Sequence, residues 1–220
     1  MSTFLRDWFP APILVIAYWQ AGGFYIKPWE AFQEKLSRMD SGIARALRVF
    51  KGMGTSLPFR IYLEAAYVLA YPLVPLALAV LYVNRLSAEA DFFWSVVLPT
   101  SYVCYVMLPF IQTLPPRLLK RNGVDSVQGI ERVVPRFLYL WILDHLGIGA
   151  NTFPSGHVAA TMAASLVVYQ FLPTFGVVFL WTSVSIAVSV VVRRYHYFAD
   201  AALGAALGLG GWLLARAFWI

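Results

Sequence analysis

Long apolar runs recur along the whole chain, and they constrain its fold more than any other feature. A helix needs about 20 apolar residues to span a bilayer. Five runs approach or exceed this length: residues 61–83, 92–112, 156–172, 174–192 and 200–219. Inside a bilayer every backbone N–H and C=O needs an internal partner, and a helix supplies one within its own segment. The sequence therefore predicts an all-α, polytopic bundle of membrane helices.

A sixth run, residues 9–25, is shorter, and it is consistent with a spanning, tilted or interfacial helix. With it, the bundle has about six transmembrane helices. A signal peptide is an alternative, because Arg6 precedes the run and small residues at 21–23 follow it. The aromatic Trp19 near that site and the lack of an A-x-A cleavage spacing argue against this alternative.

Composition excludes several classes of protein. Of the 220 residues, 60% are hydrophobic and 13% charged, whereas a soluble domain averages roughly 45–50% and 25%. The net charge of +6 does not indicate nucleic acid, since the basic residues flank the apolar runs. Anionic membrane lipids or a phosphorylated substrate are the expected partners. Cys104 is the only cysteine, which excludes an intrachain disulfide and a cysteine-based metal site.

Two connections are long enough to have structure of their own within this single domain of residues 1–220. Residues 27–56 alternate apolar and basic side chains at helical spacing, which predicts a basic amphipathic segment on the bilayer surface. A solvated linker helix is the alternative interpretation. In the second connection, 113–155, residues 134–149 are apolar but short, which indicates an interfacial or re-entrant piece.

Alternating helix directions bring three polar clusters to one membrane face. The clusters are Pro115–Arg117 after the second long run, Pro154–His157 at the start of the third, and Arg194–Asp200 between the last two. Ionisable groups at the mouths of membrane helices are costly, and they are candidate functional residues by default. This convergence does not depend on whether residues 9–25 span the membrane.

His196 and Asp200 are four residues apart, which places both on one face if they lie in a helix. The carboxylate would then bind one imidazole nitrogen, fix the tautomer and leave the other nitrogen free as a nucleophile or base. A purely stabilising interfacial histidine is the alternative.

Pro154-Ser155-Gly156-His157 has the pattern of a helix start. Serine caps helices, proline suits their first turn, and glycine lets a ligand approach the backbone. Free N–H groups at a helix N-terminus favour phosphate, with His157 at the rim of the anion site. An ordinary cap beside an interfacial imidazole is the alternative.

Two arginines are candidates for gripping phosphate oxygens with a guanidinium fork: Arg117, after two stiff prolines, and Arg194. Adjacent alternatives, each of which could equally contact lipid headgroups, are Arg193, Lys120 and Arg121. The third histidine, His145, follows Asp144, and we interpret it as interfacial structure.

These residues resemble the motifs of the type 2 phosphatidic acid phosphatase (PAP2) superfamily of membrane phosphatases and phosphotransferases. The resemblance covers about residue 57 to the end: Pro154–His157 is similar to the second family motif, and Arg194–Asp200 followed by Gly204 to the third. The first motif often runs Lys, six residues, Arg-Pro, but here only Leu-Pro-Pro-Arg at 114–117 is present. The third often carries an arginine where Val190 stands, and Arg194 is its expected substitute.

The resemblance implies a role for each residue. His196 would be the nucleophile that forms a phosphohistidine, Asp200 would orient it, and His157 would be the general acid and then the base. The phosphate would be held by Arg117, Arg194, Ser155 and the backbone of Gly156. No metal and no cofactor are expected, because arginines and N–H groups can stabilise the charge of phosphoryl transfer.

The leading functional hypothesis is a membrane phosphatase acting on a lipid phosphate. Its main rival is a phosphotransferase that passes the phosphoryl-headgroup to an alcohol, as inositol phosphorylceramide synthases do. A transporter or scaffold with a degenerate site is less consistent with an intact His157, His196 and Asp200. A di-iron desaturase or hydroxylase needs more than the three histidines present. No oligomeric state is predicted.

The positive-inside rule places the site-bearing face in the cytoplasm, whereas most members of the resembling family face outward. The opposite face carries Arg6, Arg85 and Arg216 only. The site-bearing face carries Lys27, Lys35, Arg38, Arg45, Arg48, Lys51, Arg60, Arg117, Lys120, Arg121, Arg132, Arg136, Arg193 and Arg194.

Overall fold

A computed structural model describes residues 3–46, 56–119 and 148–219, and these ranges are helical with short connections. The all-α prediction is confirmed for them, and an isolated bridge joins Thr113 to Asn151. The helices are α1 (Thr3–Trp8), α2 (Pro10–Gly22), α3 (Glu30–Ala46), α4 (Leu57–Leu69), α5 (Leu73–Val83), α6 (Ala90–Met107), α7 (Gly156–Phe171), α8 (Pro173–Val192) and α9 (Phe198–Trp219).

Several sequence predictions concern residues outside the described ranges. They include the re-entrant piece up to residue 147 and the C-terminal part of the 27–56 segment, from residue 47 to 55. The individual residues concerned are Arg48, Lys51, Lys120, Arg121, Arg132, Arg136, Asp144 and His145.

In the described part of the chain, two helices, α8 and α9, are long and apolar enough to cross a membrane. Helices α4 and α5 together make a third candidate span, bent by 71°. The sequence predicts one continuous run over 61–83, but Pro72 interrupts it. Proline has no N–H to continue the helix, and it disfavours helical backbone at the residue before it.

The outward faces of α8 and α9 are apolar, as expected for helices in contact with lipid. Large side chains such as Val178, Trp181 and Leu214 are each more than 60% exposed. A soluble protein rarely leaves so large an apolar surface uncovered. Together with the candidate spans, this pattern indicates a membrane protein.

Helix α7 is the centre of the bundle, and it packs against α5, α6, α8 and α9. Small residues allow a close approach between α7 and α9. A Cβ added to Gly204 would lie 2.6 Å from the Ser155 carbonyl oxygen, and one on Gly208 would lie 2.8 Å from that of Ala159. Two helix backbones can approach this closely only where side chains are absent, so the glycines hold the start of α9 against the start of α7.

Three backbone contacts join the segments that carry the polar clusters. Arg117 N donates to the Arg194 carbonyl at 3.0 Å, and Ser155 N donates to the Asp200 carbonyl at 3.0 Å. Asn151 N donates to the Thr113 carbonyl at 2.9 Å. The three clusters therefore meet at one end of the bundle, as alternation of helix direction predicts.

Candidate active site

His196 and Asp200 form a buried pair at the start of α9. His196 Nδ1 lies 3.3 Å from Asp200 Oδ2, and the two residues are 6% and 0% exposed. The sequence interpretation put both on one helix face, but α9 begins at Phe198, after His196. The contact forms because the Asp200 side chain folds back over the helix start, where Oδ2 also accepts from Tyr197 N at 3.0 Å.

Asn151 and Thr113 complete the surroundings of Asp200, and sequence reasoning missed both. Asn151 Nδ2 donates to Asp200 Oδ2 at 2.6 Å and to Thr113 Oγ1 at 2.9 Å. No local pattern marks these residues, since their relation to Asp200 depends on the tertiary structure. Among the described residues, Oδ1 of Asp200 is buried without a hydrogen-bond partner.

The start of α7 is capped as the sequence predicts. Ser155 Oγ accepts from Val158 N at 3.5 Å, and Ser155 is fully buried. The Gly156 N–H donates to Thr152 Oγ1 at 3.2 Å, so this amide already has a protein partner. Ser155 therefore acts on the site by fixing the first turn of α7, the turn that carries His157.

His157 faces His196 across the site, with 5.9 Å between the ring centroids. Three tyrosine rings surround it: Tyr71 at 5.3 Å, Tyr67 at 5.9 Å and Tyr18 at 6.1 Å between centroids. Tyr67 and Tyr71 are four apart in α4 and the turn after it, and this spacing was the available sequence signal. The tyrosines limit the orientations of the imidazole.

Arg117 packs against Tyr195, the residue that precedes His196. Its guanidinium carbon lies 4.6 Å from the centroid of the Tyr195 ring, a cation–π arrangement. That ring stacks in turn on Tyr67, at 4.0 Å between centroids. Within the described part of the chain, the buried NH1 of Arg117 has no hydrogen-bond partner. A buried donor left unmatched is costly, so this atom is suited to an anionic ligand.

The neighbouring arginines have different environments. Arg193 Nε donates to Glu64, whose other carboxylate oxygen accepts from the Tyr195 hydroxyl at 3.2 Å. Glu64 is 2% exposed. It is the only charged residue within the apolar run 61–83, and this feature could have identified it as a candidate functional residue. The Arg194 side chain is exposed, and its backbone has a φ of 60°. The structure thus places Arg117 against Tyr195, the residue before His196, and leaves the Arg194 side chain exposed.

An apolar cavity of about 340 Å³ adjoins His157. Helices α2, α5, α6 and α7 line it, largely with aliphatic and aromatic side chains. Val15 and Trp19 of α2 belong to the lining and are 41% and 45% exposed, so the cavity reaches the outer surface of the bundle. It joins an apolar surface to the imidazole of His157.

The metal-ligating side chains of the described residues do not cluster into a metal centre. In residues 3–46, 56–119 and 148–219, no three His, Cys, Asp or Glu side chains lie close enough together to hold a metal ion. That the reaction needs no metal stays a prediction, which chelation can test.

The centre of the site is thus a pair of facing histidines, one of which contacts a carboxylate. The model of the PAP2 superfamily matches residues 40–214, most of the chain, and the chain belongs to this superfamily. Members of this superfamily act on phosphorylated substrates.

A segment of 50 residues is 43% identical to a PA-phosphatase related-family protein of Dictyostelium discoideum. The match covers 23% of this chain and 9% of that protein. No solved structure matches the chain significantly.

Proposed function

We propose that this protein is an integral membrane phosphatase that hydrolyses a lipid phosphate through a phosphohistidine. One observation carries the proposal: His157, which faces His196, lines an apolar cavity that extends to the outer surface of the bundle. The cavity would hold the apolar alcohol of the substrate and present its phosphate to the histidines. Lipid phosphates have this division between an apolar body and a charged end.

In the first step His196 Nε2 attacks phosphorus. The contact between Nδ1 and Asp200 keeps the proton on Nδ1, leaves the Nε2 lone pair free and stabilises the imidazolium. The bond between phosphorus and the lipid oxygen breaks as the N–P bond forms. His157, at the mouth of the cavity, donates its proton to the departing oxygen.

In the second step His157, now neutral, takes a proton from water, and the resulting nucleophile attacks the phosphohistidine. The N–P bond breaks, inorganic phosphate leaves and His196 is regenerated. Arg117 would stabilise the charge on the equatorial oxygens with its unmatched NH1 donor. Ser155 and Gly156 would hold the α7 turn around the phosphate, and Arg194 would add positive charge at the rim.

A lipid phosphotransferase is the second candidate. The position of His157 beside the cavity supports this second candidate. After the first product leaves, an alcohol could enter the cavity, and His157 would then deprotonate it as it would deprotonate water. The product would be a transferred phosphoryl-headgroup instead of free phosphate. The two functions differ in whether water alone completes the cycle.

We propose about six membrane crossings, formed by α2, the bent α4–α5 pair and α6 to α9, with the site on the cytoplasmic side. Fourteen of the 17 lysines and arginines flank that face, and short loops rich in these residues stay in the cytoplasm. Removing the phosphate-site candidates Arg117, Arg193 and Arg194 leaves 11 against 3, so substrate binding alone does not explain the bias.

The test is phosphate release by the purified full chain in detergent with EDTA. Phosphatidic acid, polyprenyl phosphates and phosphatidylglycerol phosphate are compared, each with and without an added alcohol. We expect release from at least one lipid without alcohol, and none from His196→Ala. Consumption of the lipid only with alcohol, with the phosphoryl group recovered on the alcohol and no free phosphate, would establish the transferase. Loss of activity in EDTA with recovery on adding a divalent ion would contradict the metal-free mechanism.

A further inference from the structure

Helix α3 contacts all three segments that form the site, although the sequence indicates only a surface segment there. Trp29 N, just before α3, donates to the Gln112 carbonyl at 2.7 Å. Gln33 Oε1 accepts from Leu114 N at 2.8 Å, in the segment that leads to Arg117. The Phe32 ring meets the ring of Phe153, just before the α7 cap, at 5.1 Å.

The third segment that α3 contacts is the start of α9. Asp40 Oδ1 accepts from Phe198 N at 3.0 Å, and Phe198 is the first residue of that helix. The first N–H groups of a helix have no partner within it. Asp200 takes the N–H of Tyr197, and Asp40 takes the next one from a helix 158 residues away in sequence.

The Asp40 carboxyl is also within electrostatic range of the site. Burial raises its pKa, the N–H of Phe198 lowers it, and the nearby Asp200 and Arg194 respectively raise and lower it. The side chain is half-buried. Asp40 therefore links α3 to the backbone that connects His196 to Asp200.

We propose that Asp40 is a positioning residue of the active site, which caps α9 from α3 and thereby holds His196 and Asp200 in register. This inference rests on the proposed function, because it assigns Asp40 to the reaction of His196. Catalytic geometry is sensitive to such support, since misplacement by about 1 Å can cost about 10²-fold in rate. A carboxylate cap is effective because it accepts the N–H and also complements the positive end of the helix dipole.

The test compares Asp40→Ala with Asp40→Asn, which keeps an oxygen acceptor in nearly the same place. The control is Glu34→Ala, the removal of an exposed α3 carboxylate that pairs only with Arg38 at the surface among the described residues. Two quantities are measured on the purified full chain in detergent. They are amide hydrogen exchange at the start of α9, and kcat and KM for phosphate release.

For Asp40→Ala we expect at least about fivefold faster exchange at Phe198, since capping oxygens contribute typically about 1 kcal/mol. We expect kcat to fall about tenfold with KM within about twofold. Asp40→Asn should restore both quantities to within about threefold of the original protein, and Glu34→Ala should change neither.

Unchanged exchange in Asp40→Ala would overturn the capping, and faster exchange with unchanged kcat would overturn the positioning role. Equal loss in Asp40→Asn and Asp40→Ala would also contradict it, because the acceptor is retained in the first. If Asp40→Ala does not fold, Asp40→Asn and Asp40→Ser, which keeps a shorter capping oxygen, decide between the same outcomes. If the unmodified protein releases no phosphate, the proposed function fails, while hydrogen exchange still decides whether Asp40 caps α9.

Discussion

Helix α6 separates two buried carboxylates that differ in how completely they are bonded. Asp200 lies in the site, which the chain reaches after the end of α6, and Asp7 lies beside the start of α6. The helix has 18 residues, which correspond to about 27 Å at the rise of an α-helix. Both carboxylates are nearly inaccessible, at 0% and 2% exposure.

Asp7 has a protein donor for each of its carboxylate oxygens. Arg6 Nε donates to Oδ1 at 2.7 Å, and the Tyr82 hydroxyl donates to Oδ2 at 2.5 Å. Trp94 Nε1 donates to its backbone carbonyl at 2.6 Å. These contacts attach α1 to the ends of α5 and α6.

At the other end, one oxygen of Asp200 and one nitrogen of Arg117 have no hydrogen-bond partner among the described residues, and a cavity adjoins His157. Buried polar groups in proteins are nearly always satisfied. A fully bonded cluster indicates a structural joint, whereas unmatched groups beside a cavity indicate a binding site. On this criterion the Asp7 carboxylate, with both oxygens bonded, stabilises the fold, although Trp8 Nε1 beside it is also buried without a partner among the described residues. The Asp200 end, where the unmatched groups lie beside the histidines and the cavity, is the one suited to chemistry.

The largest effect is expected for Asp200→Asn. The amide keeps an acceptor for Asn151 and Tyr197 but loses the charge that stabilises the imidazolium and fixes the tautomer. The equivalent change in a serine-protease triad costs about 10⁴ in rate, and here we expect kcat to fall by at least about 10² with KM nearly unchanged. Steady-state phosphate release and a thermal melt measure this, and the melting temperature should move little. A loss below threefold would mean that Asp200 is structural, like Asp7.

Gly204→Leu should reduce folded yield and thermal stability strongly, and activity with them. Its side chain would have to displace the Ser155 carbonyl, because the first added carbon would lie 2.6 Å from that oxygen. Gly210→Leu is the matched control in the same helix, because nothing lies within 4 Å of a Cβ added there. Size-exclusion profiles and melting temperatures compare the two. Equal stability of both variants would show that the close contact of α7 with α9 is dispensable.

Asp7→Asn should give the reverse of Asp200→Asn. It weakens the bonds to Arg6 and Tyr82, and we expect Tm to fall by about 5 °C while kcat stays within about twofold. Loss of a charged hydrogen bond has a cost that corresponds to a few degrees in a chain of this size. A rate loss comparable to that of Asp200→Asn would remove the distinction between the two ends.

The smallest effect on the protein is expected from single cysteine substitutions that test which end of the bundle faces the cytoplasm. In a Cys104→Ala background, whose native cysteine is buried, single cysteines replace Leu118 at the site end or Ala88 at the opposite end. Both positions are exposed. A membrane-impermeant thiol reagent should label Ala88→Cys in intact cells and Leu118→Cys only after lysis. The reverse pattern would place the site outside the cytoplasm and attribute the arginines to phosphate and headgroup binding.

The sequence predicted the elements better than it predicted their contacts. Apolar length identified the helices, and the alternation of their directions brought His157, His196 and Arg117 to one end. It did not predict the bend at Pro72, because both halves of that run are equally apolar. Nor did it predict the contacts of Asn151, of Glu64 or of helix α3, whose partners lie far away in sequence. Local sequence patterns predict where helices begin and which of their faces are apolar, whereas these contacts depend on how the helices pack against one another.

The most direct test of the account is to trap the phosphorylated enzyme. His157→Ala and His196→Ala are each mixed with a lipid phosphate labelled in its phosphoryl group, quenched in alkali, and mapped by mass spectrometry. Phosphohistidine survives alkali and is lost in acid. The account predicts an acid-labile phosphate on His196 in His157→Ala, where water is not activated, and no labelled protein in His196→Ala. Label in His196→Ala, or at a residue other than His196, would contradict it.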